Sequence, residues 1–205
     1  MIVKNKIRHF NEIDSTNLFL KKNMIDLPDK TIVVADQQTR GKGKGSRLWL
    51  STNTNNVYAS ILLKGTPSLC MRLPELTQFF SVITANLIDY SFFEKSPKTF
   101  IKSPNDLFIT NKKVGGILAE SVFIGSCFIG VVLGIGLNFK LTDFEKNLIS
   151  QPATCLSDHF NKELDRDKWT QILFQDFFDQ FDDFIEFGKK LFEDQLIQKL
   201  IPNIN

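Results

Sequence analysis

The stretch "TFIKSPNDLFITNKKVGGILAESVF", residues 99–123, decides the fold. Apolar, β-prone runs flank a polar turn at residues 110–112, which reads as two strands joined by a tight connection. Pro104 has no N–H to give a ladder and interrupts the first of them. Strands joined this closely must run antiparallel, because a parallel pair needs a crossover of about a dozen residues or more. A further buried run, "CFIGVVLGIGLNF", begins only a few residues later, at Cys127. The pattern predicts an α+β domain with a mixed, largely antiparallel central sheet flanked by helices, not a doubly wound parallel sheet.

Working outward, Ile7–Ile13 alternates loosely as a first strand. Asp14, Ser15, Thr16 and Asn17 supply helix-capping side chains ahead of the short helix "LFLKKNM". Residues 31–35 and 55–64 read as strands. Residues 73–92 carry apolar positions at helical spacing. So do residues 169–187, where Trp169, Leu173, Phe177, Phe181 and Phe184 recur at three- and four-residue steps. Gly188 is placed to cap that helix. A boundary there divides the chain into residues 1–188, the main domain, and residues 189–205, an extension too short for a second domain.

The 205 residues carry a net charge of +2, so any basic surface is local and the chain does not read as a nucleic-acid coat. Cys70, Cys127 and Cys155 are odd in number, far apart and outside any metal-ligand spacing. That excludes a disulfide framework or a zinc site and fits a reducing cytoplasm. His9 and His159 stand alone. No leader pattern is visible. The most apolar run, residues 122–137, is broken by glycines and is shorter than the roughly 20 residues a membrane span needs.

Two segments carry chemistry. "RGKGKGSRLW", residues 40–49, packs three glycines and four basic residues into one loop after a buried strand. It fails the P-loop pattern, having no Gly-Lys-Ser/Thr after the required gap, and it fails the dinucleotide fingerprint. What remains is a loop that either approaches an anion through backbone N–H groups, with Lys42, Lys44 or Arg47 answering its charge, or is simply solvated. The second segment sets Lys102, Asn105 and Asp106 against Lys112, Lys113, Gly115 and Gly116. If its strands pair, Lys102 or Lys113 shares a site with Asp106, or forms a surface ion pair with it. The glycines here, and Gly134 and Gly136 before Asn138, mark close backbone approach by another group.

Taken together and in order, "EIDSTN", "ADQQTRGKGKGSRLW", "KSPNDLFITNKKVGGILAES" and "LGIGLNF" resemble the motifs of the biotin protein ligase catalytic domain across residues 7–140. The resemblance implies a two-step, ATP-dependent, AMP-forming ligase. Biotin and ATP give biotinoyl-AMP, and a lysine of a biotin carboxyl carrier domain, from acetyl-CoA carboxylase or a similar protein, then attacks it. Ser15, Thr16 and Gln38 would hold the ureido ring, with Asn17 and Gly116 in the same binding set. Gly41 and Gly43 would let the loop close over the ligand. Lys42, Lys44 and Arg47 would answer carboxylate and phosphate charge. Lys113 would bridge the two reacting anions, and Lys44 and Lys102 would join it in catalysis. Trp49 would cover adenine while Asn105 and Asn138 read its edge. Asp106 would orient and deprotonate the carrier lysine. Magnesium would arrive with ATP, held by phosphate and water and by no protein ligand set.

The chain departs from the family pattern in having lysine for arginine at positions 42 and 44, which loses bidentate geometry. Ser103 stands for a tryptophan, and Gly45-Ser46 for an Arg-Gly pair. The resemblance also implies a chain without the DNA-binding winged helix of repressor members, with the SH3-like C-terminal domain absent or truncated. It leaves a homodimer open. The competing readings are a lipoate or octanoate ligase of the same fold, whose triple-glycine and histidine loop is missing here, and a non-catalytic biotin- or anion-binding module.

Overall fold

A computed structural model describes residues 6–45, 47–91, 98–160 and 164–201. Its centre is a seven-stranded sheet formed by β1 (Ile7–Ile13), β2 (Ile32–Gln38), β3 (Val57–Lys64), β4 (Thr99–Lys102), β5 (Asp106–Ile109), β6 (Lys112–Ile124) and β7 (Cys127–Leu137). The order across the sheet is β1-β2-β3-β7-β6-β5-β4. Only β1–β2 is parallel; every other pair is antiparallel. The expected α+β class with a mixed, largely antiparallel sheet is what the chain forms.

The segment read as two strands holds three. Pro104 ends β4 instead of interrupting it, and residues 103–105 turn the chain back into β5, closed by Asn105 N–H donating to the Lys102 carbonyl. The missing proline N–H therefore sits in a turn, where no ladder needs it. The second turn falls at residues 110–111, with Thr110 at φ 56.

Helices cover both faces of the sheet. On one lie α2 (Pro67–Ser91), α4 (Arg166–Phe187) and the short α5 (Glu193–Lys199), around a core rich in phenylalanine. Phe79 stacks on Phe184 at 4.2 Å, and Phe80 meets Phe177 edge-on at 5.2 Å. The chain has 20 phenylalanines against two tyrosines, and much of that phenylalanine goes into this core. The α2 helix starts earlier than periodicity indicated, because Pro67 suits a first helical turn and Thr66 Oγ1 accepts Leu69 N–H. The expected end of that helix at Phe92 lies outside the described residues. Asp165, a polar cap invisible to apolar spacing, starts α4 at Arg166. Gly188 ends it at φ 59, packed so closely that an added Cβ would lie 2.2 Å from Arg72. Phe192 and Leu196, beyond Gly188, are buried in the same core.

The other face is covered by α1 (Thr16–Lys22), whose Leu20 packs with Val33, Leu62 and Val132 in a smaller cluster. Side chains alternate across a sheet. On this face β7 therefore continues from Val132 through Gly134 and Gly136, and β3 from Leu62 through Ser60. Beside α1 the sheet thus runs out of large side chains, and a trough remains. A short helix, α3 (Asp143–Leu148), follows β7. Among the described residues no helix is long and apolar enough to cross a membrane.

Candidate active site

The trough is floored by a continuous hydrogen-bond network. Ser15 caps α1. Thr16 N–H donates to Gln38 Oε1 at 2.9 Å, and Thr16 Oγ1 lies 2.7 Å from Ser60 Oγ. Ser60 donates to Asn17 Oδ1 at 2.6 Å, and Asn17 Nδ2 donates to Glu120 Oε2 at 2.8 Å. Lys21 donates to the other oxygen of Glu120 at 2.7 Å. At the opposite end Gln38 Nε2 donates to Ser51 Oγ, which donates to the Trp49 carbonyl. Burial pushes the Glu120 carboxyl pKa up, but the hydrogen bonds from Lys21 and Asn17 outweigh it and hold the group below its ordinary range.

The basic loop forms the roof. It is a small ribbon, with Gly43 N–H on the Arg47 carbonyl at 2.9 Å and Trp49 N–H on the Gly41 carbonyl at 3.0 Å. Gly41 is required by packing: an added Cβ would sit 2.5 Å from the Trp49 carbonyl oxygen. Ser46 lies outside the described residues. The ribbon folds the Trp49 ring onto Gly136 and Gly116, where added Cβ atoms would lie 2.4 Å and 3.3 Å from it. Trp49 Nε1 is buried with no hydrogen-bond partner among the described residues.

Trp49 divides two cavities. The first, about 40 Å³, is lined by Ser15, Thr16, Asn17, Gln38, Lys42 and Gly116, among others. The second, about 420 Å³, is lined by Arg47, Asp106, Lys113, Asn138 and residues 148–151 and 153. Gly43, Lys44 and Trp49 line both. The second volume is in the usual range for a small-ligand site, whereas the first is a narrow polar recess.

Lys113 and Asp106 meet in the wall of the second cavity, Nζ to Oδ1 at 2.8 Å, both largely buried. The Lys113 side chain lies across Gly116, whose added Cβ would be 3.4 Å from both Lys113 Cε and Asp106 Oδ1. Lys113 Nζ is 5.3 Å from the Trp49 ring centre, a cation–π distance. Its backbone is clasped by residues 152–154: Lys113 N–H donates to the Pro152 carbonyl, and Thr154 N–H donates to the Lys113 carbonyl.

Not every candidate converges here. Lys102 is exposed, lines neither cavity and reaches toward the Phe108 ring at 6.0 Å. Asn105 also lines neither cavity. Its Nδ2 donates to the Ile117 carbonyl at 2.8 Å and its own carbonyl accepts Ile117 N–H, so it ties the β4–β5 turn to β6. Asn138 does line the second cavity, with its Nδ2 on the Thr154 carbonyl at 3.1 Å.

Sequence reading missed the second cavity's outer wall, residues 148–153. Its support is a polar cluster just beyond. Thr154 Oγ1 touches Asp158 Oδ2 and His159 Nε2, both at 2.9 Å, and Lys146 pairs with Asp158 at 2.9 Å. Burial raises the Asp158 pKa, but bonds from Lys146 and Thr154 carry it below the ordinary value, while burial lowers that of His159. The only sequence signal was the polar run "TCLSDH", which fits no motif.

Comparison with known proteins agrees with this arrangement. The family model described as "Biotin/lipoate A/B protein ligase family" matches residues 9–138. The bifunctional ligase/repressor BirA of Bacillus subtilis (strain 168) is 36% identical over 141 residues, covering 68% of this chain and 42% of its own length. The human biotin–protein ligase is 29% identical over 168 residues, covering 77% of this chain and 22% of its own. The chain thus spans less than half the length of either relative. The biotin protein ligase from Aquifex aeolicus, solved in complex with biotin and ATP, superposes with a TM-score of 0.80 at 26% identity, over 96% of this chain and 78% of that one. With its glycine-lined trough, basic roof and Lys113–Asp106 pair, the chain belongs to the biotin/lipoate A/B protein ligase family.

Proposed function

We propose that this chain activates biotin with ATP to biotinoyl-AMP and transfers it to a lysine of a biotin carboxyl carrier domain. The observation that carries this reading is the Lys113–Asp106 pair, buried in the wall of the larger cavity and lying across Gly116, which lines the small polar pocket. Biotin has a neutral polar ring, an apolar chain and a carboxylate. The ring suits the Ser15–Thr16–Gln38 end of the first pocket, and the nucleotide suits the second cavity. The carboxylate and the α-phosphate then meet beside Lys113 and Lys44.

In the first step a biotin carboxylate oxygen attacks the α-phosphorus and pyrophosphate leaves. Two anions must approach, and a buried ammonium fixed at that point offsets their repulsion with little reorganisation. In the second step the carrier amine attacks the acyl carbon and AMP leaves. Asp106 then accepts the amine proton once Lys113 engages the substrate, a role supported by its 2.8 Å contact with Lys113. The Trp49 ring lies on Gly136 and the ribbon at residues 40–49 roofs the first pocket, so ring entry and ribbon position are coupled.

The described residues include no cluster of three or more His, Cys, Asp or Glu side chains that could hold a metal. Magnesium would travel with the ATP phosphates, held largely by phosphate and water, and no step is assigned to it. Three free cysteines suit a reducing compartment.

The test is transfer of labelled biotin to a carrier domain with ATP and magnesium. Lys113→Met should lower the rate about 100- to 1,000-fold, the usual effect of removing one transition-state charge partner. No transfer by the unaltered chain refutes the proposed activity. Near-normal transfer by Lys113→Met refutes the role of the pair.

A further inference from the structure

Glu120 lines neither cavity, yet it ends the network beneath the first pocket. An ionised carboxylate only accepts hydrogen bonds, whereas an asparagine side chain donates from one end and accepts at the other. Facing Glu120, Asn17 must turn its amide nitrogen toward the carboxylate; the second nitrogen contact, to the Leu118 carbonyl at 3.4 Å, has the same sense. Its oxygen then lies against Gly134 and takes the single proton of Ser60. Ser60 has no proton left and accepts from Thr16 Oγ1 at 2.7 Å, a shorter contact than the 3.2 Å from Thr16 Oγ1 to Gln38 Oε1. Thr16, its proton used, offers the pocket a lone pair. Ser15 Oγ accepts Leu18 N–H and keeps its own proton for the pocket.

The first pocket thus presents one hydroxyl donor beside one hydroxyl acceptor. Their complement is a carbonyl adjacent to an N–H, the edge of a cyclic urea or amide. We infer that Glu120 is a positioning residue that sets the hydrogen-bond polarity of Asn17, Ser60 and Thr16, so that the pocket selects a ligand with an N–H facing Thr16. The inference rests on the reading that this pocket takes the ureido ring of biotin.

Calorimetry with biotin and its two cyclic-carbamate analogues, in which oxygen replaces one ring N–H or the other, tests it. The unaltered protein should reject one carbamate more strongly than the other, because only one places oxygen against Thr16. Glu120→Gln gives Asn17 an amide partner that can donate as well as accept, which frees the relay to reverse. The preference for biotin over the rejected carbamate should then narrow by about tenfold, the size of one misplaced hydrogen bond to a buried group. A purely structural loss would weaken all three ligands together and leave the ratio unchanged. Lys21→Met keeps the carboxylate on Asn17 and should keep the wild-type ratio. If Glu120→Gln fails to fold, Ser60→Ala breaks the same relay and carries the same expectation. An unchanged ratio in the folded relay variant, or equal narrowing in Lys21→Met, overturns the role of Glu120. Failure of the unaltered protein to bind biotin overturns the underlying assignment of the pocket instead.

Discussion

Gly136→Ala is the sharpest probe of how Trp49 organises the two cavities. The added methyl would sit 2.4 Å from Trp49 Cε2, 2.6 Å from Nε1 and 2.7 Å from Cζ2. Non-bonded carbons rest at roughly 3.5–4.0 Å, so the ring must retreat by about 1 Å or more. It cannot swing freely, because Trp49 N–H is held by the Gly41 carbonyl and its own carbonyl by Ser51. The whole ribbon must shift. Overpacking of this kind costs about 1–3 kcal/mol. In a chain of this size each kcal/mol lowers the melting temperature by about 2–4 °C. Lys44 rides on the same ribbon, and a misplacement of about 1 Å near reacting groups can cost on the order of 100-fold in rate. Thermal unfolding and pyrophosphate release from ATP and biotin measure the two effects. The stability cost should largely vanish in a Trp49→Ala background, where there is no ring to displace, giving a coupling of about 0.5–3 kcal/mol. Gly136→Ala with unaltered melting and turnover, or strictly additive costs in the double variant, would refute the partition by Trp49.

Two further outcomes are expected. Lys102→Ala should transfer biotin within about twofold of the unaltered rate, since an exposed lysine outside both cavities has little electrostatic leverage; a drop comparable to that of Lys113→Met would place Lys102 in the reaction after all. Stability should also fall as pH drops below about 6.5, because burial keeps the folded pKa of His159 below that of the unfolded chain, which takes up the proton first. Asp158, with its folded pKa lowered, loses its contribution only at more acidic pH, below the ordinary aspartate range. Melting curves between pH 7.5 and 5.5 should therefore slope downward in the parent and flatten in His159→Asn, and an equal slope in both would count against the partly buried histidine.

Much of this was legible in the chain. Short connections between apolar runs required antiparallel pairing, and glycines at positions 116, 134 and 136 marked where the sheet is approached closely. Ser15, Thr16 and Gln38 are grouped only through the resemblance of their motifs to those of a known family, not by local pattern. Local pattern could not choose between Lys102 and Lys113 as the partner of Asp106. Lys102 is the direct cross-strand neighbour of Asp106, yet Lys113 takes the pair. The register between β5 and β6 shifts at Leu107/Phe108 and places Gly116 opposite Asp106. With no side chain there, Lys113 can lie across the strand. The place of Trp49 between two cavities, the polarity imposed by Glu120 and the wall at residues 148–153 likewise come from residues far apart in sequence. Periodicity and capping act over a few residues, so the sequence alone determined which elements form and which motifs end them. Register, ribbon folding and hydrogen-bond direction are settled only when distant strands and helices pack, and those decided which side chains share the site.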